Sequence, residues 1–133
     1  MSWLSRLKAA RGGAQALSAQ AEQTLRTWHA LPDAVLDHPH FESRYVVVNT
    51  EATGLDLDSD RLLAVGAVGV DGGLLHPTDA YYATLDPAPG EALAGLLGLV
   101  GKGPLVVFNA SFNRGMLERE EALLTAGDTD ALL

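Results

Sequence analysis

The stretch 45-YVVVNTEATGLD-56 decides how the rest of the chain is read. Tyr45 to Asn49 is apolar and β-branched and reads as a buried strand, which runs into a polar turn. Asn49 closes that strand, Glu51 supplies a carboxylate two residues on, and Gly54 is expected to serve the turn with a positive φ.

Toward the C-terminus, Arg61 to Val70 is a second strand, Gly72-Gly73 a tight turn, and Leu74 to Leu85 a third strand around "AYYATL". Three consecutive strands with short connections predict an antiparallel meander. Glu91 to Val100 is rich in Leu and Ala and predicts a helix despite Gly95 and Gly98; Leu105 to Phe108 is a fourth strand. "FNRGMLEREEALL" is a final helix, with Phe112 and Leu117 facing the core.

Toward the N-terminus, Trp3, Leu7, Ala10, Ala14, Leu17, Ala21 and Trp28 recur at spacings of three, four or seven and make one helical stripe, interrupted at Gly12-Gly13 and ended by Pro32. This Ala-rich stripe either packs on the chain's own sheet or lets another helix approach closely, in this chain or in a partner. "LPDAVLDHPHFES" connects it to the strands. The expected organisation is therefore an N-terminal helical segment and linker over 1–43 and an α/β domain over 44–133. Its mixed sheet comprises an antiparallel three-strand meander plus a further strand, flanked by helices. No repeat or low-complexity tract interrupts this order.

With 133 residues, 47% of them apolar, one modest core is expected. No apolar run approaches the roughly 18 residues of a membrane span, so no membrane partner is expected. The basic opening "MSWLSRLKAARGG" lacks the apolar core and cleavage context of a secretory signal. The absence of cysteine removes disulfides and thiolate metal sites and fits a reducing compartment; the cytoplasm is the expected location. A formal charge of -8 disfavours a broad phosphate-binding surface, so nucleic acid is a disfavoured partner.

Two stretches, in order, resemble a known family. "RYVVVNTEATGLDLDSDRLLAVGAVGVDGG" is similar to the first motif and following hairpin of the DEDD (DEDDh-type) 3'-5' exonucleases, the family of the polymerase III epsilon subunit. "PLVVFNASFNRGMLERE" is similar to its second motif, in which a strand runs into Asn-x-x-Phe-Asp and a helix. The resemblance spans Arg44 to Arg119 and implies a ribonuclease H-like exonuclease fold. It also implies hydrolysis of terminal phosphodiesters by two divalent ions, Mg²⁺ or Mn²⁺, held on hard carboxylate oxygens.

The motif positions depart from that chemistry. Asn49 stands where the resemblance implies the bridging Asp, Glu51 stands at the matching Glu, and Asn113 occupies the second motif's Asp. A neutral amide does not bridge two dications as a carboxylate does. The third motif, a His followed by a last Asp, is not found after Asn113, and Asp128 and Asp130 lack the base. The family's segment between third strand and helix is also shortened, since "LDPAPG" passes directly to "EALAGLL". The resemblance thus implies a degenerate, truncated exonuclease-like domain with no resident cofactor; Glu51 is the metal candidate if Mg²⁺ or Mn²⁺ binds at all. Asn49 reads either as natural, hydrogen-bonding the adjacent turn, or as an Asp-to-Asn change introduced to trap a complex; the missing third motif favours the former.

Other residues offer less. Asp37, His38 and His40 in "DHPHF" do not complete a metal set and read as a solvated connector. "GKGP" lacks phosphate-loop spacing and reads as a helix-to-strand turn. The expected function is that of a pseudo-exonuclease acting through protein contacts, as a homodimer or heteromer, with its sheet edge or N-terminal stripe in the interface. The alternatives are a metal-dependent exonuclease, weakly active or completed by a partner chain, and a non-hydrolytic binder of nucleotides or nucleic-acid ends.

Overall fold

Val46 and Val48 point to one side of the first strand and are almost fully buried, whereas Val47 and Asn49 point to the other and are exposed. In a computed structural model, which describes residues 17–125 (side chains to Glu120), this alternation organises the whole architecture. Strand β1 (Arg44–Ala52) pairs antiparallel with β2 (Leu62–Asp71), and β2 pairs antiparallel with β3 (Leu74–Thr84). Strand β4 (Leu105–Val106) lies parallel to β1, giving the sheet order β3-β2-β1-β4. The chain is thus α/β with a mixed four-strand sheet, the expected meander plus one strand.

Two helices cover one face of that sheet. Helix α2 (Pro89–Val100) begins with proline at its first turn, where a missing N–H costs nothing. It buries Ala92, Leu93, Leu96 and Val100 in a core that also holds Val46, Val48, Leu62, Val65 and Leu85. Helix α3 (Ala110–Thr125) adds Met116 and Leu117, with Phe112 packed against them. Tyr81 reaches from β3 to donate its hydroxyl to the Ala92 carbonyl at 2.9 Å. Gly95 permits this, because a Cβ there would collide with the Tyr81 ring and hydroxyl.

Helix α1 (Ala19–Ala30) forms a further layer behind α2. Ser18 caps it by accepting from the Ala21 N–H at 3.0 Å, and Ser18 Oγ donates to Glu91 Oε2 at 2.9 Å, tying the start of α1 to the start of α2. Leu17, Ala21, Leu25 and Trp28 bury against Ala94 and Leu97 of α2. The stripe therefore packs on a helix and not on the sheet, because α2 already occupies the sheet's inner face. Leu25, absent from the sequence-read stripe, is its most buried member. Trp3, Leu7, Ala10 and Ala14 lie outside the described residues. The Trp28 indole donates to the Gly101 carbonyl at 2.6 Å, and Lys102 Nζ sits 4.1 Å from the centre of its ring.

Several boundaries differ from the sequence reading. Strand β1 continues to Ala52, so Asn49 and Glu51 lie within the ladder, opposite Gly66 and Ala64, and not in the turn. Strand β4 ends at Val106 and not Phe108, as the chain then bends at Asn109, a non-glycine residue with φ 53°. Gly72 and Gly73 form the expected two-residue hairpin turn, with φ of 57° and 80° as a type I′ turn requires. Gly54 has no positive φ, contrary to expectation. It is needed because the Asp60 carboxylate occupies the space a Cβ would take. No helix among the described residues is long and apolar enough to cross a membrane.

Candidate functional site

The three motif positions fall on opposite faces of the sheet. Asn49 and Glu51 lie on the uncovered face and are exposed. Neither side chain has a hydrogen-bond partner among the described residues, so Asn49 does not hold the turn. That turn is held by others: Thr53 Oγ1 donates to Asp60 Oδ1 at 2.8 Å, and the Asp56 N–H donates to Asp60 Oδ2 at 2.9 Å. Asp56 in turn accepts from the Asp58 N–H at 2.8 Å, and this bond, followed by that of the Ser59 hydroxyl, holds its carboxyl below the ordinary range.

Asn113 belongs to the covered face. It is 6% exposed, and each polar atom of its side chain is bonded. Its Oδ1 accepts from Thr50 Oγ1 at 2.5 Å, while its Nδ2 donates to the carbonyls of Phe108 at 2.7 Å and Asn109 at 3.2 Å. Thr50 sits between Asn49 and Glu51 in sequence but points the other way, as alternate strand residues must. The amide therefore joins the first turn of α3 to β1 and to the Phe108 and Asn109 carbonyls that follow β4.

This geometry tests the fit of a two-ion centre. Two dications need several converging carboxylates. Among the motif positions only Glu51 is acidic, and Asn113 turns its NH₂ toward two carbonyl oxygens, the arrangement of a donor and not of a metal ligand. The described residues contain no group of three or more His, Cys, Asp or Glu able to hold one ion. The motif residues therefore do not fit the pair of ions that the resemblance implies. In the connector, His38 Nδ1 lies 4.0 Å from Glu42 Oε2, and His40 Nδ1 hydrogen-bonds the Tyr45 hydroxyl. These histidines are used one at a time.

Three charged residues that the sequence reading did not single out matter for this region. Glu120 of α3 is 5% exposed, with Arg61 Nε at 3.8 Å. Arg119 donates to the Leu57 carbonyl at 2.8 Å and to the Asp60 carbonyl, so α3 also grips the β1–β2 turn. The signal was available in the helical spacing, because Asn113, Met116, Leu117 and Glu120 follow the i, i+3, i+4, i+7 rule of one buried face. A polar residue at each end of that face marks it as a tether. At the far end of the sheet, Arg44 Nη2 donates to Asp79 Oδ1 at 3.1 Å and to the Leu99 carbonyl at 3.0 Å, with Asp71 at 3.0 Å from Nη1. The guanidinium's hydrogen bond lowers the Asp79 pKa, and Asp79 in return raises that of Arg44.

Comparison with models of protein families finds no match to this chain, and comparison with curated proteins finds none either.

Proposed function

We propose that the chain is a catalytically degenerate 3'-5' exonuclease-like domain of ribonuclease H-like fold that works through protein contacts, as a regulatory or scaffolding subunit. The observation that carries this reading is the Asn113 amide, whose oxygen and nitrogen are both committed to holding α3 on β1 and Phe108–Asn109. A carboxylate at that position would face two carbonyl oxygens. The position that the resemblance assigns to a metal ligand thus serves as a neutral structural joint. The sheet order β3-β2-β1-β4, with β4 parallel to β1, supports the fold assignment. Exposed Asn49 and Glu51, without bonded neighbours, support the loss of an organised ion cradle.

Protein contact is favoured over nucleic-acid contact by the charge of -8 and by the apolar character of the uncovered sheet face. The test is an assay of the purified full chain on a 3'-labelled single strand with Mg²⁺ or Mn²⁺. No release of mononucleotides is expected. Release that is abolished by Glu51→Gln overturns the reading.

A further inference from the structure

Helices α1, α2 and α3 lie on one side of the sheet; among the described residues the other side is open from Val47 to Glu51, while at its Tyr45 end the 3₁₀ turn His40–Glu42 packs on it, with His40 hydrogen-bonded to the Tyr45 hydroxyl. The residues that point outward from β1 to β4 follow from the strand register. Tyr45, Val70 and Leu75 form one row; Val106, Val47, Val68 and Ala80 a second; Asn49, Gly66 and Tyr82 a third; Glu51 and Thr84 a fourth, in which their register partner Ala64 is itself buried. Leu63, the extra residue of the bulge opposite Glu51, joins the last row. Val47, Leu63, Leu75, Tyr82 and Val106 are each at least 40% exposed. Contiguous apolar surface of this kind on a folded chain marks a docking site.

We infer that this open sheet face is a self-association surface, on which a second copy of the same chain docks face to face. The inference rests on the reading of the chain as a protein-contact domain and names its partner. Area and charge both point to a second copy. Three long strands and the short β4, at about 4.8 Å between strands and about 3.3 Å per residue, give roughly 450–600 Å² in projection. With side-chain relief, this approaches the roughly 800 Å² per partner of a standard stable interface. The four outward rows carry one charge, Glu51, in a chain whose net charge is -8. Two such chains repel through most surfaces, and this face lets them meet without opposing like charges.

A two-fold axis lying across the strands places Glu51 over the Tyr45 end of the second copy. The two Glu51 carboxylates are then separated by about 20 Å along the strands, well beyond the screening length of roughly 8 Å at physiological salt. Aligned packing of two twisted sheets about 10 Å apart buries Val47, Val68, Val106 and Tyr82 at the centre. Each copy presents the same patch, as a closed two-fold dimer requires.

Sedimentation of the full chain over a wide concentration range tests this. Wild type is expected at twice its chain mass of 14.0 kDa. Val47→Lys and Val106→Lys are each expected to raise the dimer dissociation constant at least tenfold with an unchanged circular dichroism spectrum. Leu55→Lys, in the exposed turn off the strands, leaves it unaltered. Because the chain has no cysteine, Asn49→Cys supplies an independent readout: a short bis-maleimide joins two copies through this central position, and Leu55→Cys fails to do so. A wild-type monomer at every concentration overturns the inference, whether residues 1–16 of the same chain or a different protein then covers the face. So does a dimer that survives both lysine variants and yields no cross-link in the Asn49→Cys variant. A nuclease assay on the same preparation separates the two claims. Metal-dependent mononucleotide release from an intact dimer sinks the functional reading alone, and an inactive monomer sinks the dimer alone.

Discussion

The two faces of the sheet share the same strands and differ in nearly everything else. On the inner face, Val46, Val48 and Thr50 meet α2 and α3, and even the polar position is bonded, through Asn113. On the outer face, Val47, Asn49 and Glu51 meet no described helix, and the side chains of Asn49 and Glu51 have no hydrogen-bond partner among the described residues. Neighbouring residues of one strand therefore face opposite demands. The inner residues hold the fold, while the outer ones are exposed. The three positions that the sequence resemblance groups together are divided between these faces, since Asn113 is a buried joint on the inner face and Asn49 and Glu51 lie on the open one.

The strongest way to break this comparison is to empty the inner face. Met116 is fully buried, and Met116→Ala should cost about 2–5 kcal/mol in urea denaturation. Val47→Ala should change stability by less than about 0.5 kcal/mol at dilutions where copies are apart. Comparable losses for both would mean that the outer face is covered.

Next comes the reversal of the two asparagines. Asn113→Asp should destabilise by about 3 kcal/mol at neutral pH, since it replaces a donor with a charge facing two carbonyls. The folded pKa of that new carboxyl is raised, so the loss should shrink as pH falls through it, when the protonated acid can donate again. Asn49→Asp, on the exposed face, should be neutral within about 0.5 kcal/mol. Even the double variant should not acquire efficient nuclease turnover, as measured with Mn²⁺ on a labelled strand. An Asn113→Asp variant as stable as wild type would remove the argument that this amide is a joint.

Trp28→Phe sharpens the comparison one layer out, where α1 attaches to α2. Loss of the indole bond to Gly101 should cost about 1 kcal/mol in thermal or urea unfolding. The smallest effect concerns Arg44 and Asp79. Because the Asp79 pKa is depressed, the pair's contribution is present above the ordinary aspartate value of 3.8 and is lost as pH falls through the lowered folded value. Asp79→Asn should therefore remove a small stabilisation at neutral pH and flatten the acid limb of the stability profile, so that variant and wild type converge below the lowered value. Unfolding followed from pH 7 to about pH 2 would reveal it.

Much of the fold was legible because local signals agreed with tertiary ones. The apolar alternation of β1 and β2, the Gly72-Gly73 turn and the Leu/Ala run of α2 each point to the element that forms. The candidate site was less legible. Sequence spacing placed Asn49, Glu51 and Asn113 in one motif, but a strand's two-residue period sends Asn49 and Glu51 away from Thr50, with which Asn113 pairs. Gly54 illustrates a second limit. A glycine in a turn suggests a special φ, yet here the constraint comes from the distant Asp60 carboxylate.

By itself, then, the sequence determined the order of elements, the meander and its turn, and the neutral or acidic character of each motif position, because these follow from residue type and short-range period. Only tertiary structure decided that the described part of the N-terminal stripe packs on α2, that Asn113 is a buried joint and that, among the described residues, no α-helix covers the outer sheet face. Those outcomes depend on which surface is already occupied when two elements meet, and residue spacing within one element carries no record of that.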